Sequence, residues 1–208
     1  MKERGMIFNA EMVRAILDGR KTQTRRPFNW KRQPAMEMAE RDDGSLWPWA
    51  EDCERGGDIW FACPFGEVGD CIWVRETWAE AGASAPDLKL YRANYPAHVP
   101  THYENVPPAE DVRWTPSIHM PRWASRITLE ITDVRVERVQ DISQIDAIAE
   151  GGPPDHPSFS KISREMGFSD WPRSWFAQTW WGIYGREAWN TNPWVWVIEF
   201  KRVEGGAA

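Results

Sequence analysis

Long apolar runs, cysteine pairs and net positive charge are all missing from this chain. No window approaches the ~18 consecutive apolar residues of a membrane span. The opening "MKERGMIF" has none of the apolar run of a secretory signal. A cytoplasmic protein with no membrane partner is therefore expected. Only three cysteines occur, Cys53, Cys63 and Cys71, and none has CxxC spacing. That pattern weighs against a structural zinc site and more heavily against a disulfide framework, and it suits reduced thiols. The four histidines (His98, His102, His119, His156) are scattered through Pro-rich stretches. Pro96 and Pro100 speak against a helix that would present His98 and His102 together. No metal or cofactor is expected. The net charge of −6 argues against broad, non-specific nucleic-acid binding, which draws its affinity from neutralised phosphates. A local basic patch can still hold one phosphate or a short strand.

Tryptophan, in contrast, is abundant: fifteen residues of 208 imply a large aromatic core, an aromatic-walled pocket, or both. The length suits a single domain over 1–208 with elaborations, and a monomer is favoured.

"NAEMVRAILDG" reads as a short amphipathic helix. Asn9 caps it, Glu11 suits its positive first turn, and Met12, Val13, Ile16 and Leu17 form the apolar stripe. Gly19 is placed to end it in a left-handed conformation. "GMIF" before it and "GDCIWVRETW" (69–78) read as strands. "RITLEITDVRVERV" (126–139) is the strongest strand pattern, and its apolar parity switches after Ile131, which predicts a bulge or bend. "DISQIDAIAEGG" reads as a helix capped near Asp141 or Ser143 and stopped by Gly151 and Gly152. "PRSWFAQTWWGIYG" (172–185) reads as a Trp-rich helix with Trp175, Trp180 and Trp181 on one buried stripe, and "NPWVWVIEFKRV" as a closing strand. The stretches 28–66 and 79–122 read as irregular Trp/Pro-rich insertions, and 159–192 as an added Trp-rich helical segment. Distant strands with few hairpin signals favour an α+β fold, a small mixed β-barrel with flanking helices.

The chemistry gathers in "GRKTQTRR" (19–26), which carries no acid. Lys21 and Thr24 converge only if the backbone turns between them, and Gly19 makes such a turn plausible. Like charge from Arg25 and Arg26, reinforced by burial, pushes a lysine towards neutrality. A neutral lysine can act as a base towards a hydroxyl. On pattern alone, a solvated basic face is the better account of these residues.

With the second arginine, the stretch fits the Gly-x-Lys-x-x-Thr-x-Arg signature of ASCH domains through Gly19, Lys21, Thr24 and Arg26. ASCH domains resemble PUA domains, small β-barrels associated with RNA. "GDCIWV", "DISQIDAIAEG" and "VWVIEFKRV" resemble further family segments, and the resemblance spans 5–27, 67–78, 126–151 and 193–203. It is nearest to bacterial ASCH proteins that hydrolyse N4-acetylcytidine to cytidine and acetate, and to longer ASCH proteins of phages and prophages. It implies a PUA-like barrel and an amidohydrolase acting on a nucleoside or short RNA. The implied catalytic residues are Lys21, Thr24 and Glu150, with Gly19 supplying the turn and Arg26 holding an anion.

Other residues invite a binding role. Arg75 and Glu76 occupy opposite faces of one strand, so one charge points inward, to a pocket or to an internal partner. Ser117 and His119 lack a placed acid and make weak hydrolase candidates. Trp123 can stack on a base and Arg122 reach a phosphate. A different class of function, non-catalytic binding of RNA or modified nucleic acid, would use Arg20, Arg25, Arg26, Lys31 and Arg32 for phosphates. A third reading, a phage protein contacting a host protein through its Trp-rich insertions, needs exposed aromatics.

Overall fold

Residues 1–29, 37–52, 54, 56–83, 85–152 and 171–203 are described by the computed structural model. The chain begins with strand β1 (Glu3–Ile7) and helix α1 (Ala10–Leu17). Asn9 caps α1 by accepting from the Met12 N–H at 2.8 Å, and Val13, Ala15 and Ile16 turn inward. Gly19 then takes φ +73°, which leads the chain into strand β2 (Gln23–Pro27).

The stretch 28–66 is less irregular than its composition implies. It carries β3 (Glu37–Glu40), β4 (Leu46–Glu51) and β5 (Asp58–Trp60) in a small antiparallel sheet. Isolated tryptophans hide the alternation there: Trp47 is buried in the main core while Trp49 bonds Asp58 at the rim. Strand β6 (Cys71–Arg75) follows, and then the hairpin β7 (Trp78–Glu80) and β8 (Lys89–Tyr91). The rest of 79–122 is mostly turns and short 3₁₀ segments.

Strand β9 (Thr128–Arg138) and the last strand, β10 (Trp194–Arg202), form the long antiparallel centre of the fold. Between them lie α2 (Gln144–Ala149), α3 (Trp171–Tyr184) and α4 (Arg186–Asn190). The pairing steps from Glu199↔Asp133 to Phe200↔Ile131. One extra residue, Thr132, is therefore accommodated where the apolar parity switched, and the strand bends there.

The main sheet has the order β1-β6-β9-β10-β2, with β1 parallel to β6 and the remaining pairs antiparallel. Mixed sheets with a few helices make the fold α+β. The sheet is open: among the described residues no ladder joins β1 to β2. The gap is spanned instead by a side chain, as Arg26 Nη2 donates to the Ile7 carbonyl at 2.7 Å.

Successive residues of β10 point to opposite faces. Trp196 and Ile198 join the main core with Phe8, Val13, Ile72 and Leu129. Val195 and Val197 join a second core with Ile142, Ala147, Phe176 and Trp180. Helix α3 packs over this second face. Its buried stripe is centred on Phe176, Ala177 and Trp180, while Trp175 and Trp181 flank it half-buried. The stripe is thus rotated from the one tryptophan spacing predicts, because Phe176 as well as Trp180 packs with Val195 and Val197.

Candidate active site

Five residues separate the end of α1 at Leu17 from the start of β2 at Gln23, and that turn sets Lys21 beside the C-terminus of α2. Ser143 caps α2 by accepting from the Asp146 N–H at 3.0 Å, and Glu150 is its C-terminal cap residue. Lys21 and Glu150 form an isolated antiparallel bridge, and the Thr22 N–H donates to Ala149 O at 2.8 Å. Gly151 is required at this crossing. It has φ +98°, and a Cβ would lie 2.9 Å from Ala15 Cβ and 3.1 Å from Lys21 Cβ.

The bridge brings two charges together in the interior. Lys21 Nζ donates to Glu150 Oε2 at 2.8 Å and to the Glu150 carbonyl at 2.9 Å. The two side chains are 0% and 4% exposed. Burial lowers the lysine from its ordinary value, the Glu150 carboxylate opposes that, and Arg26 and Arg25 lower it further. The net shift is downward, so desolvation outweighs the salt bridge.

A polar network continues from Glu150. Arg25 Nη1 donates to Glu150 Oε1 at 3.2 Å, and its Nη2 donates to Glu137 Oε2 at 2.8 Å and lies 3.5 Å from Asp146 Oδ2. Arg135 binds the outer side, reaching Glu137 at 2.6 Å, Asp146 at 3.1 Å and also Glu199. Burial works against ionisation of Asp146, but the Ser143 hydroxyl, Arg25 and Arg135 hold its carboxyl below the ordinary range. Arg25, which the sequence offers as part of a solvated basic face or as a phosphate contact, is buried among these groups, with Phe176 of α3 5.8 Å from the guanidinium.

Two cavities adjoin the pair. A cleft of about 260 Å³ is lined by Asn9, Met12, Arg20, Glu150, Gly151 and Trp175, among others. A narrow one of about 20 Å³ is lined by Thr24, Arg25, Arg26, Glu150, Trp175 and Trp180, among others. Glu150 and Trp175 line both. Thr24 is buried in the narrow cleft. Among the described residues, the hydrogen bonds of the Lys21 ammonium run to Glu150 and not to the Thr24 hydroxyl. Arg26 lines the narrow cleft and packs 5.2 Å from the Phe8 ring, and its buried Nε has no hydrogen-bond partner among the described residues.

The remaining candidates lie elsewhere. Glu76 points inward with Val74 and Trp78, and its carboxylate is gripped by Arg126 through two bonds of 2.9 and 3.0 Å. Arg75 donates to the Ile118 carbonyl and lies over Trp73. Arg122 pairs with Glu3 at 2.9 Å and also donates to Thr128. Trp123 is 61% exposed, edge-on to Trp78 and under Lys89. Among the described residues, no hydrogen bond or ion pair connects these four with Lys21, Thr24 or Glu150. His98 accepts from the Tyr91 N–H and serves the 89–98 turn. Arg20 is half-exposed and donates to the Gly151 carbonyl and to Asp18. Lys31, Arg32, Cys53 and His156 lie outside the described residues.

Sequence reasoning missed Arg25, Glu137, Asp146 and Arg135 as a network. Asp133 and Glu137, each two positions from Arg135 along β9, were the available signal.

No family model matches the chain, and no curated protein matches it. Among solved structures, it is similar to an ASCH domain from Lactobacillus crispatus JV V101, described as a high resolution crystal structure. The likeness covers 97% of this chain and 79% of that one at 15% identity, with a TM-score of 0.37.

Proposed function

We propose that this protein is an ASCH-like amidohydrolase that removes the acetyl group from N4-acetylcytidine or a related acylated nucleoside or base. The observation that carries this reading is the buried Lys21–Glu150 pair. Two residues 129 positions apart, both singled out by the signature and its partner helix, meet at 2.8 Å beside a cleft.

The chemistry follows from the burial. A lysine lowered by desolvation is available as a base. It takes the Thr24 proton, and the Thr24 oxygen attacks the acetyl carbon. Hydrogen bonds to a base are often loose in an unliganded site and tighten around substrate, and the Thr24 hydroxyl comes within reach of Lys21 in that way. The negative charge developing on the carbonyl oxygen takes a hydrogen bond from the unused Arg26 Nε. The C–N bond then breaks, and the proton held by Lys21 and Glu150 goes to the departing N4 amine. Water hydrolyses the Thr24 ester and releases acetate. A water activated by Glu150 and attacking directly yields the same products. The 260 Å³ cleft suits a single nucleoside, with Trp175 as a stacking wall, and the acetyl group enters the adjoining narrow cleft, where Thr24 and Arg26 lie.

The test is incubation of the purified protein with N4-acetylcytidine, with cytidine and acetate as the expected products. An inert wild type, or Lys21→Met and Thr24→Ala variants as active as wild type, would sink the reading. The rival nucleic-acid binder draws less support from the geometry, because Arg25 is occupied by three carboxylates and Arg26 by a backbone carbonyl and a ring. It would show itself as affinity for RNA that falls steeply with salt and survives loss of the Thr24 hydroxyl.

A further inference from the structure

We propose that Arg25, which lies outside the signature positions, is the positioning residue of this site: its buried guanidinium holds the Glu150 carboxylate in the orientation in which Lys21 meets it. The two oxygens of Glu150 are divided between two cations. Oε2 accepts from Lys21 at 2.8 Å and Oε1 from Arg25 at 3.2 Å. A carboxylate with one partner can rotate to give that partner both oxygens; one held from two sides cannot.

Arg25 is itself held on three sides. Glu137 of β9 and Asp146 of α2 take its Nη2, β10 pins its backbone opposite Val197, and α3 lays Phe176 against its face. Arg135 anchors both of those acids from outside. The Trp-rich helix and the β9–β10 sheet are thereby linked to the carboxylate through one side chain. A lysine could not do this, having neither the planar fork nor the reach to three acids.

The charged groups around the Lys21–Glu150 pair are known from each packed element. They are Arg25 and Arg26 from β2, Arg20 from the preceding turn, Glu137 and Arg135 from β9 and Asp146 from α2. Glu11 and Arg14 of α1 line the wider cleft, and α3 contributes the neutral Phe176 ring.

As a statement about turnover, the inference rests on the amidohydrolase reading, so its experiment has an arm that needs no substrate. The Lys21 side chain is followed by NMR in protein labelled at lysine Cε, with Lys21→Met assigning the signal. In Arg25→Met, Lys21 loses a repelling cation and gains the whole carboxylate. Its titration midpoint is expected to rise by about one pH unit, with Arg25→Lys between the two. In Glu137→Gln, which removes only a half-exposed acid, Arg25 is freed to bind Glu150 more closely and the midpoint is expected to fall. If Arg25→Met unfolds, the Glu137→Gln titration alone decides. An unmoved midpoint in folded Arg25→Met, or in Glu137→Gln, overturns the proposal. With substrate, the rising limb of kcat against pH is expected to follow the same shifts. A protein that shows them by NMR yet cleaves no amide would overturn the proposed function while leaving the role of Arg25 intact.

Discussion

The Lys21 ammonium reaches Glu150 twice, at the carboxylate Oε2 and at the backbone carbonyl, from the far end of the chain and out of contact with solvent. Breaking one side of a buried pair leaves an uncompensated charge, which costs roughly 3–5 kcal/mol. Lys21→Met and Glu150→Gln are each expected to destabilise the protein. Because Arg25 still binds the carboxylate when Lys21 is absent, Lys21→Met is expected to be the milder of the two. Urea denaturation of both variants checks the order.

The shift on Lys21 has a sign that can be followed in stability. Its folded value lies below the ordinary 10.5, with burial as the largest cause. Between the folded value and the ordinary one, the unfolded chain binds more protons, so stability rises with pH across that window. The contribution is complete above 10.5 and lost as pH falls through the folded value. Unfolding free energies of wild type minus Lys21→Met, measured over alkaline pH, are expected to increase with pH. A flat difference would show that burial does not perturb this lysine.

Gly151 and Gly19 both have positive φ, at +98° and +73°, but only Gly151 is crowded. Gly19→Ala is expected to cost about 1–2 kcal/mol in backbone strain. Gly151→Ala adds a collision with Ala15 and Lys21, so it is expected to cost more and to disturb the Lys21 signal as well. Equal denaturation midpoints for the two variants would contradict the close packing at the crossing.

Glu76 and Arg126 form a largely buried ion pair separate from the one at Glu150. Glu76→Gln is expected to lower stability by a few kcal/mol while the folded fraction keeps the proposed activity per molecule. A change in KM for the acylated nucleoside would instead restore Glu76 to a substrate-binding role.

Helix α3 is expected to hold the site shut through its buried face. Trp180→Ala empties a packed position against Val195 and Val197 and is expected to cost about 3–5 kcal/mol. Trp123→Ala removes a mostly exposed ring and is expected to change stability by less than about 1 kcal/mol. Thermal melts of both variants test the contrast.

Much of the local structure was legible in the residues themselves. The caps at Asn9 and Ser143, the glycine after α1, the alternation of β10 and the bulge after Ile131 all arise from interactions within a few positions. Those are the distances over which side-chain chemistry and backbone preference act. The short strands in 28–66 were not legible, because their alternation is broken by tryptophans packing on different partners.

The sequence by itself determined α1, α2, β9 and β10 and the signature-like positions Gly19, Lys21, Thr24 and Arg26. Only the tertiary structure decided what those residues touch. It closed the gap between β1 and β2 with Arg26 rather than with a strand ladder, took Glu76 into a pair with Arg126, and made the apparent surface charge Arg25 the most heavily bonded cation beside Glu150. The reason is physical. The state of a charge is set by burial and by partners brought from 19, 50 or 125 positions away, and neither is written in its immediate neighbours.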